Sequence, residues 1–334
     1  MNHHKQRLRV GAAAILCALI LRLGVGGAFR SLGEFLAQPS ISSLLRYLET
    51  GRIVRFSPSL DAVPFFASES PPPVFDLPEE AGMPVFASSD GAAASVKYYT
   101  SKTVDLEELI TRPLSWNLGD GEPRVLILHT HATESYTKAS GERYKETAAF
   151  RTLDEDYNMI SVGDYLTAAL ENAGIGVIHD RGLHDYPSYN GSYSSARKSI
   201  KAYLQEYPTI QLVLDLHRDA SGDNSNQLKT SAVVDGEKSA QLMIVVGSDG
   251  SGLNHPQWEE NFSLALKLYT QLERTSPGIC RYISLRGQRF NQDQHTGALL
   301  IEVGAAGNSH DEAIRATSVL AKAVIAMAQG VEIA

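Results

Sequence analysis

The stretch "VLILHTHATESY" at residues 125–136 decides the fold, because an apolar run ends there abruptly in polar side chains. Short continuous apolar runs of this kind are typical of strands that are buried on both faces of a sheet. His129 and His131 follow the run directly, and Glu134 comes close behind. The stretch therefore predicts a central strand whose carboxyl end carries a cluster of potential ligands.

Outward from this stretch, segments with strand and helix patterns alternate along the chain. The predicted strands are 124–129, 175–180, 211–217, 241–249 and 297–304, and the predicted helices are 161–174, 192–208, 258–278 and 309–330. Gly174 is a natural C-cap for the first helix, and Ser309 is a natural N-cap for the last. This alternation predicts an α/β fold with a mainly parallel twisted sheet and helices on both faces.

The N-terminal part of the chain has a different character. Residues 1–30 combine a basic start with an apolar stretch over 10–29, which predicts a cytoplasmic stub and a transmembrane anchor. A cleaved signal peptide or a buried soluble helix remain open alternatives for this segment. The proline-rich residues 31–95 predict an extracytoplasmic spacer, and 96–334 are then the catalytic domain, facing the outside of the cell membrane.

Composition excludes some classes of function. The formal net charge of −8 argues against a nucleic-acid partner, because phosphate binding needs a basic surface. The two cysteines, Cys17 and Cys280, are too few for a zinc knuckle, and a disulfide between them is not expected. Any metal must therefore be held by histidines and carboxylates.

Three of the predicted strands end in residues that suit such a site. Strand 125–128 leads into His131, strand 211–216 into His217, and strand 299–301 into Glu302. Because the carboxyl ends of parallel strands lie along one edge of a sheet, these side chains are expected to meet.

Two imidazoles and a carboxylate match the ligands of catalytic zinc, which leaves a further position for water. Glu134 could supply the carboxylate ligand, and Glu302 is then placed to act as general base. A buried carboxylate such as Glu302 must find a partner or stay protonated.

The alternative interpretation is that histidines at strand ends are hydrogen-bonded surface residues. We interpret four others in this way, namely His179, His184, His255 and His310.

Four segments in order also resemble one protein family. They are "VLILHTHATESY", "DEDYNMISVGDYL", "LVLDLHRDA" and "FNQDQHTGALLIEVGAAGNSHDEA". Over about 95–330 the chain resembles stage II sporulation protein P, a membrane-anchored cell-wall hydrolase that is similar in fold to zinc-dependent N-acetylmuramoyl-L-alanine amidases. The resemblance implies hydrolysis of peptidoglycan, both at the amide joining muramic acid to the stem peptide and at peptide cross-links. It further implies septal wall thinning and engulfment during sporulation, with stage II sporulation proteins D and M as partners.

The resemblance assigns roles residue by residue. It implies His131 and His217 as zinc ligands and Glu302 as the catalytic carboxylate, with His129 supporting His131 from the strand. The amidases carry their second ligand ahead of the first helix, where this chain has Asp154 and Glu155, so both compete with Glu134 for that role.

Two further residues receive roles with an alternative. Arg218 would bind a substrate carboxylate or the oxyanion, or else pair with Asp219 or Asp215. Asn291 would line the substrate groove, or else only form a turn. Two other functions stay open: a pure cross-link endopeptidase, and a wall-binding scaffold that has lost catalysis.

Overall fold

The structure is a computed structural model, and it describes residues 85–87, 93–114, 116–223 and 226–330. The predicted anchor and most of the predicted spacer lie outside the described residues. Within the described part of the chain, no helix is both long enough and apolar enough to span a membrane.

The described chain alternates between strands and helices, as predicted. In order, the elements are β1 (Val85–Ala87), β2 (Ala93–Tyr99), α1 (Leu106–Thr111), β3 (Pro123–Leu128), β4 (Glu146–Ala148), β5 (Arg151–Thr152), α2 (Met159–Asn172), β6 (Gly176–His179), α3 (Ser192–Glu206), β7 (Leu212–Asp219), β8 (Gly222–Asp223), β9 (Asn226–Gln227), β10 (Ala232–Val234), β11 (Glu237–Ser239), β12 (Leu242–Val246), α4 (Trp258–Thr275), β13 (Cys280–Arg286), a 3-10 turn (Gln292–Gln294), β14 (Ala298–Ala305) and α5 (His310–Ala328).

Eight strands form one sheet in the order β1-β2-β13-β12-β14-β7-β3-β6. Strands β2, β13 and β12 run parallel to one another, and so do β14, β7, β3 and β6. The two blocks meet at an antiparallel junction between β12 and β14. The sheet is therefore mainly parallel, as predicted, but β14, β7, β3 and β6 have their carboxyl ends at one edge and β12, β13 and β2 have theirs at the other.

The core lies on both faces of this sheet. Alternate side chains of the central strands pack with α2, α4 and α5 into the main core, which includes Ile127, Leu214 and Ile301. On the other face, α3 covers a smaller cluster that includes Leu126 and Val213. Helices thus cover both faces, but unequally, because α3 reaches only part of the second face.

Helix ends agree with the capping signals in the sequence. Helix α2 ends at Asn172, and Gly174 follows with a φ of 84°, a left-handed conformation that glycine adopts without a Cβ clash. Helix α5 starts at Ser309, whose side chain accepts from the Glu312 amide while the Glu312 carboxylate accepts from the Ser309 amide.

The sequence prediction missed α1, β1, β2 and β13, together with the short strands β4, β5 and β8–β11. The sheet begins with β1 at Val85 and continues with β2 at Ala93, ahead of the predicted domain start at residue 96. In β2 and β13 polar residues interrupt the apolar ones, with Val96 and Ile283 in the core and Lys97 and Tyr282 half-buried outside it. They therefore lack the continuous apolar run on which the other strands were recognised.

Candidate metal centre

The parallel block brings the predicted ligands together at one edge. Strands β3 and β14 flank β7, so the loop after β3 lies beside the ends of both others. That loop supplies His131 and Glu134, and β7 supplies His217. One ligand atom from each of these three residues lies within 4.8 Å of the other two, and all three residues are buried. The group could bind a metal ion.

Glu134 is the centre of the group. Its two carboxylate oxygens lie 3.4 Å from Nδ1 of His131 and 3.7 Å from Nδ1 of His217. The two imidazole rings meet edge to face, with centroids 4.9 Å apart. Two nitrogens and a carboxylate facing one point form the donor set that zinc prefers at catalytic sites.

The outer nitrogens of both imidazoles are also in contact with polar groups. Nε2 of His131 lies 3.2 Å from Oγ of Ser192, at the start of α3. Nε2 of His217 lies 3.0 Å from Oδ1 of Asp215. Asp215 is itself fixed, because it accepts from the amide and the hydroxyl of Thr130 at 2.8 and 2.6 Å. Such partners orient the rings so that Nδ1 faces the metal position.

Positive groups keep the Glu134 carboxylate ionised. Burial alone would raise the pKa of Glu134, but Arg218, His131 and His217 hold it well below its ordinary value. The carboxylate also accepts from Nη2 of Arg151 and from the backbone amide of Arg218, both at 3.2 Å. Glu134 is therefore a fixed negative charge in a buried site.

The pKa of His217 is shifted in the opposite direction. Burial lowers its pKa, but the neighbouring carboxylates of Asp215, Glu134 and Glu302 outweigh burial and raise the pKa of His217 to about 9. His217 thus places a positive charge among carboxylates, close to the point that a cation would take. This is the electrostatic environment expected of carboxylates arranged for a cation.

Glu302 lies next to this group but is not part of it. In the sheet register it is paired with His217 on the neighbouring strand. Burial raises the pKa of Glu302 to about 8, with Asp219 and Glu134 adding to the rise and His217 opposing it. Among the described residues its Oε2 has no hydrogen-bond partner. A carboxyl group that titrates near neutral pH can both accept and return a proton.

Two tyrosines that sequence reasoning missed form a wall beside His131. The ring of Tyr189 stacks on His131 with centroids 4.6 Å apart, and Tyr193 meets the same imidazole edge to face at 5.5 Å. Tyr189 is 49% exposed. The segment "PSYNGSYSS" holds both, but its glycine and serines identify it only as a loop and a helix start.

The loop that carries Tyr189 is held by two sets of contacts. Asp185 accepts from the amide and hydroxyl of Thr133 and from Nη1 of Arg151, at 3.2, 2.6 and 2.6 Å. His184 lies 2.9 Å from both Asp180 and Ser195, which ties the loop to α3.

The sequence prediction also missed the contact between Asp215 and His217. The spacing "DLH" could have predicted it, because residues two apart on a strand share a face.

The remaining predicted site residues lie outside the metal group. Nδ1 of His129 faces the Leu216 carbonyl at 3.1 Å, and its Nε2 lies 2.8 Å from Nε2 of His179, so both ring nitrogens point away from the group. Asp154 and Glu155 are exposed, and Glu155 pairs with Arg181. The structure thus places Glu134, rather than either of these two carboxylates, between the histidines.

Arg218 and Asn291 have structural contacts. The Arg218 guanidinium is buried and donates to the carbonyls of Ser135 and Phe150, each at 2.9 Å. It pairs with neither Asp215, which contacts Thr130 and His217, nor Asp219, which pairs with Arg281 at 2.5 Å.

Asn291 has a φ of 59° and donates to the Tyr193 carbonyl at 2.8 Å. It therefore joins its turn to the first turn of α3, behind the tyrosine wall.

The interpretation of His179, His184 and His255 as surface residues was wrong. The side chain of His179 is only 6% exposed, because it packs against His129 and its Nδ1 lies 3.1 Å from Asp164, and the side chain of His184 is 7% exposed. His255 is 1% exposed, and among the described residues neither of its ring nitrogens has a hydrogen-bond partner. Sequence position alone does not reveal which loops are covered by others.

Comparison with known proteins identifies the family. Residues 80–325 match the model of the family described as stage II sporulation protein P. The chain belongs to this family. It is 30% identical to stage II sporulation protein P of Bacillus subtilis (strain 168) in an alignment 213 residues long, and the match covers 59% of this chain and 49% of that protein. The matched region thus spans about half the length of that relative.

Solved structures of N-acetylmuramoyl-L-alanine amidases are also similar to this chain. AmiC2 of Nostoc punctiforme aligns over 62% of this chain and 97% of its own, with 11% identity and a TM-score of 0.39. The CwlD amidase from Clostridioides difficile, solved in complex with the GerS lipoprotein, aligns over 63% of this chain and 100% of its own, with 12% identity and a TM-score of 0.38.

Proposed function

We propose that this protein is a zinc-dependent peptidoglycan hydrolase that acts in septal wall degradation and engulfment during sporulation. Its substrate bonds are the N-acetylmuramoyl-L-alanine amide and peptide cross-links. The observation that carries this proposal is the buried group of His131, Glu134 and His217 with Glu302 beside it. Family membership supports the assignment to the sporulating cell wall.

The chemistry follows from the residues around the proposed metal. A bound zinc ion would polarise the substrate carbonyl and lower the pKa of an attacking water. Glu302 accepts a proton from this water while the water oxygen bonds to the carbonyl carbon. Glu302 then gives the proton to the amide nitrogen as the carbon–nitrogen bond breaks, which leaves a carboxylate and an amine.

The surroundings of Glu302 support this role. A pKa of about 8 for Glu302 reflects its burial and lets it hold a proton at neutral pH. A cation at the neighbouring group would lower that pKa and leave a carboxylate ready to accept the proton. Asp215 and Ser192 hold the imidazoles, so the ligands need not reorganise when the ion binds.

The setting in the cell is part of the proposal. The N-terminal segment anchors the chain in the cell membrane, with the catalytic domain outside and facing the septal wall. Peptidoglycan is the substrate, and stage II sporulation proteins D and M are the proposed partners.

The test compares the full-length wild type with His217→Ala and Glu302→Gln, and Glu206→Gln on the exposed side of α3 is the matched control. We expect one zinc per chain in the wild type, loss of zinc in His217→Ala, and retained zinc in Glu302→Gln. Digestion of purified sacculi should fall at least about 100-fold in both site variants, because general acid–base catalysis contributes about 10²–10⁴-fold.

Product masses distinguish the three possible functions. Stem peptides without sugar indicate the amidase, and muropeptide monomers with intact amides indicate the endopeptidase alone. Sacculi that bind the protein but release nothing indicate a scaffold. Cleavage by Glu302→Gln at the wild-type rate would show that Glu302 is not the general base.

A further inference from the structure

The loop between β6 and α3, residues 180–191, carries exposed aromatic side chains beside the candidate metal centre. Tyr186 is 48% exposed and Tyr189 is 49% exposed. Within the described residues from 93 onward, Tyr165 on α2, at 40%, is the one further exposed aromatic side chain. Two of the three exposed rings thus lie on this loop, which we call the tyrosine loop. Exposed apolar groups that cluster at one place indicate a contact surface for a ligand.

Tyr189 is held from the side of the candidate metal centre. Its ring stacks on the His131 imidazole, with centroids 4.6 Å apart and an angle of 25° between the planes. The Arg151 guanidinium lies 4.8 Å from the centroid of the same ring. His131 and Arg151 both contact Oε1 of Glu134, at 3.4 and 3.2 Å. The ring is therefore fixed against the candidate metal centre, while about half of the side chain stays open to solvent.

The cation beside Tyr189 is already neutralised. Nη1 of Arg151 donates to Asp185 at 2.6 Å, and its Nη2 donates to Glu134 at 3.2 Å. The exposed residues next to Tyr189 on the loop and in the first turn of α3 include neutral hydrogen-bonding groups, namely Ser188, Asn190 and Ser194. An aromatic ring with neutral polar groups beside it favours an uncharged ligand that has both an apolar face and hydroxyl groups.

A sugar ring has this combination. One side of a pyranose presents C–H groups and its rim presents hydroxyls, so it can pack on an aromatic ring while it makes hydrogen bonds. In the N-acetylmuramoyl-L-alanine amide, only an ether oxygen and one carbon separate the sugar ring from the scissile carbonyl carbon. An aromatic ring that contacts a proposed metal ligand is therefore close to where this sugar lies when the carbonyl is at the metal centre.

We propose that Tyr189 packs against the pyranose ring of the muramoyl residue and so favours amides joined to a sugar over amides between amino acids. This inference rests on the proposed function, for which it makes Tyr189 a specificity-determining residue. Asp185 ties the tyrosine loop to Thr133, and His184 ties it to Ser195, so little ordering is needed when the sugar binds. A sugar-free cross-link would reach the metal centre without this contact.

The test measures kcat and KM of the zinc-loaded, full-length chain on two soluble substrates. One is a muropeptide monomer with its muramoyl amide intact, and the other is a sugar-free, cross-linked peptide dimer. Tyr189→Leu keeps the apolar bulk but removes the flat ring, Tyr189→Trp keeps a ring, and Tyr165→Leu is the matched control.

The variants should separate the two substrates. We expect Tyr189→Leu to raise KM for the muropeptide at least about 10-fold, and Tyr189→Trp and Tyr165→Leu to raise it less than about 3-fold. For the sugar-free dimer, KM and kcat of every variant should stay within about 2-fold of the wild type. An equal rise in KM for both substrates would overturn the proposal.

Calorimetry with a peptide-free glycan oligosaccharide of peptidoglycan tests the contact without hydrolysis. Tyr189→Leu should raise Kd at least about 10-fold, and Tyr165→Leu less than about 2-fold. The zinc content of Tyr189→Leu should equal that of the wild type. Unchanged affinity for the oligosaccharide in Tyr189→Leu would overturn the proposal. Loss of zinc in this variant would also overturn it, because the ring would then serve to support His131.

The sugar contact and the proposed function can fail separately. If the wild type cleaves no sacculi but Tyr189→Leu loses affinity for the oligosaccharide, the proposed function fails and the sugar contact stands. If the wild type cleaves sacculi and Tyr189→Leu binds the oligosaccharide as the wild type does, the sugar contact fails and the proposed function stands.

Discussion

The two parallel blocks of the sheet carry charged side chains in opposite ways. In the block of β6, β3, β7 and β14, charged groups such as Asp215, Glu134 and Arg218 are buried, and each contacts several polar partners. In the block of β12, β13 and β2, with α1 and α4, Lys267 is buried, but the ion pairs of Arg112 lie at the surface. Arg112 there pairs with Glu108, Glu259 and Glu260. The comparison shows that charged side chains of the same type contribute differently to stability, according to their access to water.

The antiparallel junction between β12 and β14 explains the division. Because β12 runs opposite to β14, its carboxyl end points to the other edge of the sheet. Only one block therefore brings the carboxyl ends of its strands to the candidate metal centre. On the other block, Met243 and Val245 of β12 pack with Leu300 in a small cluster on the face opposite the main core.

The largest effect on stability is expected when a buried charge is removed from the block of β6, β3, β7 and β14, which we call the buried block. Asp215→Asn removes the carboxylate beside His217 while the His217 imidazole stays buried. We expect a loss of about 3 kcal/mol in the free energy of unfolding and a 10- to 100-fold weaker zinc affinity. Urea denaturation and zinc titration check this, with Asp311→Asn in the exposed first turn of α5 as the control. Unchanged stability and unchanged zinc affinity in Asp215→Asn would remove the energetic distinction between the blocks.

The next effect concerns packing beneath the same block. A Cβ on Gly163 of α2 would lie 2.4 Å from Nε2 of His179 and 2.5 Å from Nε2 of His129. Overpacking of about 1–3 kcal/mol outweighs the helix propensity that alanine gains, so Gly163→Ala should destabilise the protein by about 1–2 kcal/mol. Adding His179→Ala should recover part of this loss in a double-mutant cycle. Additive losses in the cycle would show that the clash is not with His179.

The effect of pH, through Glu302, is smaller than these two when it is taken per pH unit. Burial raises the pKa of Glu302 to about 8 from an ordinary value of 4.5, so between these values the folded chain binds one more proton than the unfolded chain. The free energy of unfolding of the metal-free protein should therefore fall as pH rises from about 5 to 8. The contribution of this group is about 1 kcal/mol per pH unit.

Denaturation with chelator present, at several pH values, measures this slope. Glu302→Gln should flatten the slope, whereas Glu206→Gln should leave it unchanged. An equal slope in wild type and Glu302→Gln would mean that Glu302 is ionised in the folded chain.

The smallest effect on stability is expected from the exposed ion pairs of the block of β12, β13 and β2 with α1 and α4, which we call the surface block. Arg112→Gln breaks three ion pairs with glutamates that are 47–60% exposed. Exposed pairs contribute little because water screens them, so the loss should be below about 1 kcal/mol and should shrink in high salt. Urea denaturation at low and high salt measures it. A loss as large as that of Asp215→Asn would contradict the distinction between buried and exposed charges.

Much of the buried block could be predicted from local sequence patterns. The apolar runs of β3, β7 and β14 identified the central strands, and the polar residues after them identified His131, Glu134 and His217 before their distances were known. The choice between Glu134 and the pair Asp154 and Glu155 could not be made in this way. All three precede α2 in the sequence, and Glu134 turns inward through tertiary contacts such as its bridge with Arg151 and the hydrogen bond from the Arg218 amide.

The surface block was harder to predict, because its signals are weaker. The strands β2 and β13 alternate in polarity, and sequence gives no direction for β12 relative to β14. The contacts of Arg218 with the Ser135 and Phe150 carbonyls are likewise long-range, so no local pattern reveals them. Tyr189 and Tyr193 were missed because a loop tyrosine has no distinguishing spacing.

The sequence by itself determined the family, the α/β class, the central strands and the type of ligands at their ends. Hydrophobic runs and capping residues act over a few neighbouring positions, so they can be recognised locally. Only the tertiary structure decided which carboxylate joins the histidines, which histidines are buried, and which way β12 runs relative to β14. Those outcomes depend on water exclusion and on contacts between residues far apart in the chain. The strand at "VLILHTHATESY" could therefore be predicted from its own residues, whereas the candidate metal centre depends on the strands beside it.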